Sequence, residues 1–415
     1  MREYKAVPLG YAAADVAALG DTRPALRDFP TPLVTLSESA VAHNLATMAD
    51  WCRAAGVGLA PHGKTTMSRE LWQRQLDAGA WGITVATPWQ ASVALGWGMP
   101  RVLLANALVQ PAALRALAAD TDRLTVWADS PRAVEIMTDA LAGLDLPEPL
   151  AVLVELGAPG GRTGARTAED ALAIARAVAA SPALRLAGVA GYEGALAHDA
   201  RPESLATVRA YLRALGELHD AFEAGGLYPA GAPAIITAGG SAYFDVVAEV
   251  LAPRRDLDGT GGRVVDVLLR SGAYITHDDG FYSVITPLGR VGGGEFRSAI
   301  HGWATVVSRP ESGLALVDAG KRDFPYDEGM PVPQAIRALG ADRAIPLDGA
   351  VVTAMNDQHT FVRLPSYARV EVGDVIRFGL SHPCTTFDKW RALAVVDDAL
   401  APEPRVTGLL ETAFG

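Results

Sequence analysis

The chain has 415 residues, of which half are hydrophobic and a fifth are charged, as in ordinary globular enzymes. Its net charge is −11, and the chain contains no block of like charge. This balance argues against nucleic acid or an anionic membrane as a partner. Only Cys52 and Cys384 occur, and neither a signal-peptide pattern nor a run of roughly 20 apolar residues is present, so we expect a cytoplasmic protein without disulfides.

From about Thr31 to Thr286, short apolar runs alternate with helical segments. The runs are PLVTL, VGLAP, GITVAT, RVLLAN, LTVWAD, LAVLVEL, RLAGVAGY, AIITAGG and VVDVLLRSG. This alternation predicts a parallel sheet, and continuously apolar strands predict that both of its faces are covered. About eight units favour a TIM (β/α)8 barrel over a doubly wound sheet, and no GxGxxG follows an early strand. There is one run too many, so one of them is misassigned or lies outside the barrel.

After Gly289 the pattern changes to short strands separated by turn residues, without a long helix. We therefore predict a C-terminal β domain. The predicted domains are a barrel over residues 31–288 and a β domain formed by residues 1–30 and 289–415.

A lysine lies where the second apolar run passes into a helix, in the segment PHGKT of residues 61–65. In a TIM barrel such junctions form the active-site face. Strand alternation places Ala60, His62 and Lys64 on one side. Desolvation there lowers the pKa of a lysine and makes it a competent amine for a Schiff base. Considered alone, the segment fits an ordinary loop lysine better.

PHGKT resembles the Pro-His-x-Lys-Thr motif of the alanine-racemase-like, fold-type III pyridoxal-phosphate enzymes. The chain looks most similar to the branch of D-threonine aldolase and eukaryotic-type D-serine dehydratase, and to its D-serine-deaminase-like members. The resemblance implies a βα barrel with a β domain, with Lys64 bonded to pyridoxal 5′-phosphate and His62 beside it. Ala60, Thr66 and Met67 depart from many relatives and match the deaminase branch, which weakens a substrate assignment taken from the aldolases.

A glycine-rich turn, TAGGSAY, follows the apolar run AII and precedes a predicted helix. Backbone N–H groups in such a turn suit a phosphate. The turn also resembles the family's phosphate loop, which implies that Gly239, Gly240 and Ser241 contact the cofactor.

Three further segments resemble family elements near the cofactor. Arg162 in ELGAPGGRTG matches an arginine near the pyridoxal ring, Tyr192 in GYEG matches a Tyr-x-Gly segment, and Tyr274 in RSGAY matches a Pro-Gly-x-Tyr element followed by Asp278. From the residues alone, a solvated loop arginine, a packed rim tyrosine and a core tyrosine fit nearly as well.

The β domain carries the segment SHPCTTFD. In an extended chain His382 and Cys384 would point the same way and share one metal ion. Nitrogen and sulfur ligands favour zinc, and two protein ligands leave positions open for substrate. A bare His-x-Cys pair also fits an unrelated histidine and cysteine. The segment resembles the metal site of the D-serine dehydratases, whereas D-threonine aldolases usually have Asp in place of Cys384. His359 resembles a family histidine near that metal, and an ordinary surface histidine fits equally.

The resemblance predicts a pyridoxal-phosphate- and zinc-dependent dehydratase of D-serine or a related D-3-hydroxyamino acid, giving a 2-keto acid and ammonia. The alternatives are a D-threonine-type aldolase, a racemase, which would leave the metal pair unused, and a non-catalytic pyridoxal-phosphate-binding protein, which the β domain argues against. A head-to-tail homodimer is also implied, with the loop of Asp318, Lys321 and Asp323 near its interface.

Overall fold

The computed structural model describes residues 4–254 and 263–414. Strand β1 (Leu33–Ser37) comes first along the chain, and the next eight strands form a parallel sheet. These strands are β2 (Gly58–Leu59), β3 (Ile83–Val85), β4 (Val102–Ala107), β5 (Leu124–Ala128), β6 (Leu150–Leu156), β7 (Leu184–Gly191), β8 (Ala234–Ala238) and β9 (Val265–Leu269). Their spatial order is β2-β9-β8-β7-β6-β5-β4-β3, and a parallel bridge between His62 and Thr84 joins the two ends. The predicted barrel is therefore confirmed.

Seven of the α-helices, the fourth to the tenth along the chain, each follow a barrel strand and lie outside the barrel. In chain order the helices are α1 (Ala13–Ala17), α2 (Leu19–Thr22), α3 (Glu38–Ala55), α4 (Arg69–Asp77), α5 (Pro88–Gly96), α6 (Pro111–Ala116), α7 (Pro131–Leu141), α8 (Ala168–Ala180), α9 (Pro202–Ala224), α10 (Phe244–Leu251), α11 (Phe281–Ile285), α12 (Leu288–Val291) and α13 (Pro383–Phe387). Proline at the first helical position starts α5, α6, α7 and α9. Thr87, Ser130 and Thr167 accept a hydrogen bond from a first-turn N–H and so cap α5, α7 and α8.

The barrel interior is filled by side chains that point inward from alternate strand positions. Trp127 is the largest of them, and Leu103, Leu153, Ile235 and Leu268 surround it as one cluster. Because this packing closes the interior, a ligand site has to lie at an end of the barrel.

The second sheet contains ten strands. They are β1 together with β10 (Ile300–Glu311), β11 (Leu314–Val317), β12 (Val332–Arg337), β13 (Ile345–Pro346), β14 (Val351–Met355), β15 (Thr360–Arg363), β16 (Val375–Gly379), β17 (Ala392–Val396) and β18 (Val406–Glu411). Its main path runs β13-β12-β16-β10-β1-β17-β18, and β11, β15 and β14 attach through β10.

The surplus apolar run is PLVTL, which forms β1. It pairs antiparallel with β10 and parallel with β17, so it belongs to the second sheet rather than to the barrel. The predicted barrel range of residues 31–288 thus includes one strand that pairs elsewhere, and the domain limits stay a prediction. Among the described residues, no helix is long and apolar enough to cross a membrane.

Candidate active site

A cavity of about 340 Å³ opens at the carboxyl ends of the barrel strands, where the loop before α13 meets them. Parallel strands bring the loops that follow them to one face, which explains why residues distant in sequence meet there. Nine of the ten predicted site residues line this cavity: His62, Lys64, Arg162, Tyr192, Gly239, Gly240, Ser241, His382 and Cys384.

Lys64 lies in a short 3₁₀ turn (Gly63–Thr65) that follows shortly after β2. Its side chain is accessible from the cavity, while protein surrounds the amine on most sides. Burial lowers the pKa of Lys64; a negative charge on Cys384 opposes this shift, and the charges of Arg162 and Arg270 add to it. A lowered pKa increases the fraction of neutral amine, the form that attacks carbonyl carbons and removes protons.

His62 precedes this turn, and its Nδ1 atom is buried without a hydrogen-bond partner among the described residues. Burial, followed by the charges of Lys64 and Arg270, holds the pKa of His62 well below its usual range. The imidazole is therefore neutral near pH 7, and its orphaned nitrogen could bond to a bound group.

Two arginines give the barrel side of the cavity positive charge. The Arg162 guanidinium lies 4.9 Å from the centre of the Tyr192 ring. Arg270 is buried, donates to Thr237 Oγ1 at 2.8 Å and lies 4.9 Å from the centre of the Trp127 ring. Sequence reasoning missed Arg270 as a site residue. A charged residue at the end of the apolar run VVDVLLRSG was the available signal, because barrel strands end at the active-site face.

The glycine-rich loop between β8 and α10 meets an unexpected partner. The N–H groups of Gly239 and Gly240 donate to the two carboxylate oxygens of Glu193, at 3.0 Å and 2.7 Å. Glu193 is fully buried and follows Tyr192 at the end of β7. Sequence reasoning missed Glu193, and nothing in the local pattern GYEG indicated that it reaches the neighbouring loop.

Tyr274 is the predicted cofactor contact that the structure keeps away from this cavity. It is buried, accepts a hydrogen bond from Gln75 Nε2 at 3.1 Å and packs on Phe296 at 6.0 Å between ring centres. Tyr274 thus packs in the core at the domain junction, as the alternative interpretation has it.

His382 and Cys384 reach the cavity by a different backbone path from the predicted one. His382 has a left-handed conformation (φ 51°) and immediately precedes α13, and Cys384 lies in the first turn of that helix. The expectation of an extended chain was therefore wrong. The pair still meets, because a left-handed residue followed by a helical turn brings both side chains to the same end of α13. Cys384 Sγ lies 3.4 Å from Thr65 Oγ1, beside the turn that carries Lys64.

The imidazole and the thiol perturb each other strongly. Burial alone would lower the pKa of His382, but the hydrogen bonds and charges of Cys384 and Asp327 together raise it to about 9. Burial alone would raise the pKa of Cys384, but hydrogen bonds from His382 and Thr65 and the charges of His382 and Lys64 lower it. A lowered pKa increases the fraction of thiolate, which is the form that binds metal ions.

Asp327 holds the histidine. Its Oδ2 lies 2.5 Å from His382 Nδ1, and its Oδ1 accepts a hydrogen bond from the Thr385 hydroxyl at 2.7 Å. A carboxylate on one imidazole nitrogen orients the other nitrogen toward a metal. His359, which resembles a family histidine near the metal, is exposed and does not line the cavity. Sequence reasoning missed Asp327, which lies 55 residues before its partner.

A second carboxylate supports the same loop from the barrel side. Asp278 Oδ1 accepts hydrogen bonds from Gly280 N and Tyr282 N, at 3.0 Å and 2.9 Å, and Oδ2 accepts one from His382 N at 3.2 Å. Burial raises the pKa of Asp278 to about 6, although these N–H groups oppose the shift. Asp278 thus ties the last barrel loop to the loop of the histidine and cysteine.

Family comparisons agree with this architecture. The family "Alanine racemase, N-terminal domain" matches residues 36–247, which is half of the chain, and "Putative serine dehydratase domain" matches residues 299–396. The chain belongs to the alanine-racemase-like, fold-type III pyridoxal-phosphate enzymes. The family resemblance inferred from the PHGKT segment is thereby confirmed, as is the barrel with a separate C-terminal sheet domain.

Curated relatives of this fold-type III enzyme cover most of its length. A D-threonine aldolase of Arthrobacter sp. is 28% identical over 383 residues, 90% of each chain. A D-threo-3-hydroxyaspartate dehydratase of Delftia sp. (strain HT23) is 29% identical over 386 residues, 88% of this chain and 94% of the relative. Among solved structures, D-threonine aldolase from Filomicrobium marinum has a TM-score of 0.75 at 27% identity, over 93% of this chain and 96% of that one. The chain is accordingly a pyridoxal-phosphate-dependent lyase.

The cavity of this fold-type III enzyme fits the cofactor. It offers an amine of lowered pKa on Lys64, an orphaned imidazole nitrogen on His62, and the positive charges of Arg162 and Arg270 for an anionic ligand.

The fit of the cavity to a metal ion is only partial. Within residues 4–254 and 263–414, no group of three or more His, Cys, Asp or Glu side chains is arranged to hold one. His382 and Cys384 would share an ion with water or substrate, as in catalytic zinc sites.

Proposed function

We propose that the chain is a pyridoxal-phosphate- and zinc-dependent dehydratase of D-serine or a related D-3-hydroxyamino acid, which yields a 2-keto acid and ammonia. The observation that supports this most is the proximity of the lysine turn to the thiol–imidazole pair. Cys384 Sγ lies 3.4 Å from the hydroxyl of Thr65, the residue after Lys64. A base acting at Cα and a metal ion held by the pair, acting on the neighbouring β-oxygen, would therefore share one site.

The names of the relatives agree with a β-hydroxylated substrate. Their printed names are 3-hydroxy-D-aspartate aldolase, D-threonine aldolase and D-threo-3-hydroxyaspartate dehydratase. A cysteine-to-alanine mutant of the dehydratase has been solved in the metal-free form, and a histidine-to-alanine mutant has been solved as well. The two mutated positions are two residues apart, the spacing of His382 and Cys384 here.

Pyridoxal phosphate would be held by Lys64, His62, Arg162 and the glycine-rich loop. When bound, it serves as an electron sink. Lys64 Nζ removes the proton from the substrate Cα, and its lowered pKa increases the fraction of neutral amine, the form that accepts a proton. Arg162 and Arg270 offset the negative charge of bound anionic groups.

His382 and Cys384 would hold the zinc ion, a Lewis acid that stabilises hydroxide as it leaves Cβ. Asp327 would keep the proton on Nδ1, so that the other nitrogen of His382 is the one that loses its proton and binds the metal. Loss of the α-proton and the β-hydroxyl amounts to loss of water, and hydrolysis of the product gives the keto acid and ammonia.

The competing candidate is a retro-aldol lyase, favoured by the similarity to D-threonine aldolase over 90% of the chain. In that reaction the proton leaves the β-hydroxyl rather than Cα, and the Cα–Cβ bond breaks. Glycine with an aldehyde as the products would establish the aldolase. Ammonia with a keto acid would establish the dehydratase.

The decisive experiment supplies the purified holoenzyme with the D and L forms of serine, threonine and phenylserine, and identifies the products and the bound metal. Chelation should remove dehydratase activity and leave the visible cofactor absorbance intact, and zinc should restore activity. Lys64→Ala should abolish that absorbance. Unimpaired turnover after measured zinc removal would exclude the metal role.

A matched pair of cysteine variants sharpens the test. Cys384→Ala should lose zinc and dehydratase activity, whereas Cys52→Ala should lose neither, because Cys52 lies in α3 with its pKa raised to about 12 by burial. Equal zinc content in the two variants would assign the metal to other ligands.

We also propose a head-to-tail homodimer in the cytoplasm, with a small molecule rather than nucleic acid or a membrane as its ligand. The net charge of −11 and the two cysteines support this setting. Sedimentation of the purified enzyme tests the dimer, since a monomeric mass with full activity would contradict it.

A further inference from the structure

Glu193 occupies an unusual position for a carboxylate. It begins a single 3₁₀ turn (Glu193–Ala195) after β7, is fully buried, and extends to the loop that follows the adjacent strand β8. Oε2 accepts the N–H of Gly239 at 3.0 Å, and Oε1 accepts the N–H of Gly240 at 2.7 Å. One side chain thus takes two consecutive amides of the loop that was expected to hold the cofactor phosphate.

A phosphate would not easily replace the Glu193 carboxylate at these two amides. Hydrogen bonds from N–H groups to an ionised carboxylate are among the stronger ones in proteins. A phosphate that took the amides of Gly239 and Gly240 would leave the Glu193 carboxylate buried and without its partners, which carries a large free-energy cost. The phosphate therefore has to bind elsewhere on the loop unless Glu193 moves.

The carbonyl groups of the two glycines are hydrogen-bonded as well. The carbonyl of Gly239 accepts the N–H of Arg270 at 3.0 Å, and the carbonyl of Gly240 accepts the Ser271 hydroxyl at 3.1 Å. A Cβ on Gly240 would come within 3.0 Å of the Tyr192 ring, so this residue has little space to shift. Both N–H groups and both carbonyls of the two glycines are therefore bonded.

The next two residues are different. Ser241 and Ala242 line the cavity just before α10, and the structure gives their N–H groups no hydrogen-bond partner within the ranges it describes. We propose that Glu193 is a positioning residue. It holds Gly239 and Gly240 so that the following amides, of Ser241 and Ala242, are presented to the phosphate of the cofactor.

The rival explanation is that Glu193 is a placeholder, which the phosphate displaces from the same two amides. The two explanations predict opposite effects of Glu193→Gln on cofactor affinity. A glutamine has the same shape but directs an NH₂ group at one of the N–H donors, so one of the two bonds is lost. If Glu193 is a positioning residue, the loop is then held less firmly and cofactor affinity falls. If Glu193 is a placeholder, the charge that competes with the phosphate is lost and cofactor affinity rises.

We expect Glu193→Gln to raise the dissociation constant of pyridoxal 5′-phosphate by about tenfold or more, the effect of one charge-assisted hydrogen bond. The change should be much smaller for pyridoxal, which lacks the phosphate. Glu217→Gln, the same charge change on the exposed face of α9, should bind both compounds like the wild type. Unchanged or tighter pyridoxal 5′-phosphate binding by Glu193→Gln would overturn the proposal.

Glu193→Asp provides a second variant with the charge retained, in case Glu193→Gln folds poorly. Its shorter side chain cannot reach both amides. If Glu193 is a positioning residue, pyridoxal 5′-phosphate should therefore bind more weakly to this variant. If Glu193 is a placeholder, the phosphate should displace the aspartate more easily and the cofactor should bind more tightly.

Hydrogen exchange of the apoprotein gives a readout that needs no cofactor. The Gly239 and Gly240 amides should exchange slowly in the wild type and faster in Glu193→Gln, with Glu217→Gln unchanged. Equal exchange rates in all three proteins would refute the positioning role. A wild type that failed to bind the cofactor would count against the proposed function, and the exchange rates would still test whether Glu193 holds the two amides.

Discussion

The Asp278 carboxylate accepts a hydrogen bond of 3.2 Å from the backbone N–H of His382, across the junction of the barrel and the second sheet. The same carboxylate accepts the N–H groups of Gly280 and Tyr282. One side chain therefore holds the last barrel loop and the histidine loop together. The left-handed backbone of His382 lies at this contact, so the contact helps to select a conformation that most residues avoid.

Asp278→Asn should loosen the histidine loop. An asparagine presents one NH₂ group to an N–H donor, so either the bond to His382 or the bonds to the barrel loop are lost. We expect zinc affinity and kcat to fall by about tenfold or more, with cofactor absorbance retained. Titration with a zinc indicator measures this, and Asp77→Asn, at the exposed end of α4, is the control. Wild-type zinc affinity in Asp278→Asn would show that the contact is dispensable.

Asp327→Asn removes the carboxylate that orients His382 Nδ1. The loss of such a partner typically lowers metal affinity or activity by about 10- to 100-fold, and we expect a decrease of this size. Asp388→Asn is a matched control, because Asp388 is also partly exposed but forms its ion pair with Lys389, at 3.7 Å. If the two variants lost zinc equally, the effect would come from general charge rather than from orientation of the imidazole.

Glu328 lines the cavity together with His382 and Cys384 and is itself exposed. Its charge should disfavour a substrate with a second carboxylate. We expect Glu328→Gln to raise kcat/KM for D-3-hydroxyaspartate relative to D-serine by about two- to fivefold, the effect of one solvent-exposed charge. Glu217→Gln should leave the ratio unchanged. A ratio that stayed the same in Glu328→Gln would remove this residue from substrate selection.

Stability should depend on pH through His301 on β10. Burial, and then the charge of Arg377, lowers the pKa of His301 to about 3, whereas an unfolded histidine titrates near about 6.5. The folded protein binds fewer protons than the unfolded chain between these values. The stability due to neutral His301 is therefore complete above about pH 6.5 and decreases as the pH falls, by about 1.4 kcal/mol per pH unit.

A non-titrating side chain removes this dependence. The difference in Tm between about pH 7.5 and about pH 5 should be smaller in His301→Gln than in the wild type. His359→Gln, at an exposed position, should keep the wild-type difference. Calorimetry measures both, and an unchanged difference in His301→Gln would contradict the prediction.

Much of the site could be predicted from the chain because its residues follow barrel strands. Lys64, Arg162, Tyr192 and the Gly239–Gly240 turn each come after an apolar run, and the topology of a parallel barrel brings such positions to one face. The position of β1 could not be predicted. A short strand buried along all five residues has the same apolar pattern in either sheet.

The sequence by itself determined the succession of barrel strands, and its motifs, through their resemblance to the family, indicated most of the residues that share the cavity. Chain direction accounts for the meeting of the barrel motifs, because every βα loop of a parallel barrel lies on the same face. Only the tertiary structure decided which acidic side chains support the site. Glu193 reaches a loop 46 residues later in the chain, and Asp327 reaches a histidine 55 residues later. Such contacts depend on the packing of separate strands and loops, and local sequence carries no signal for them.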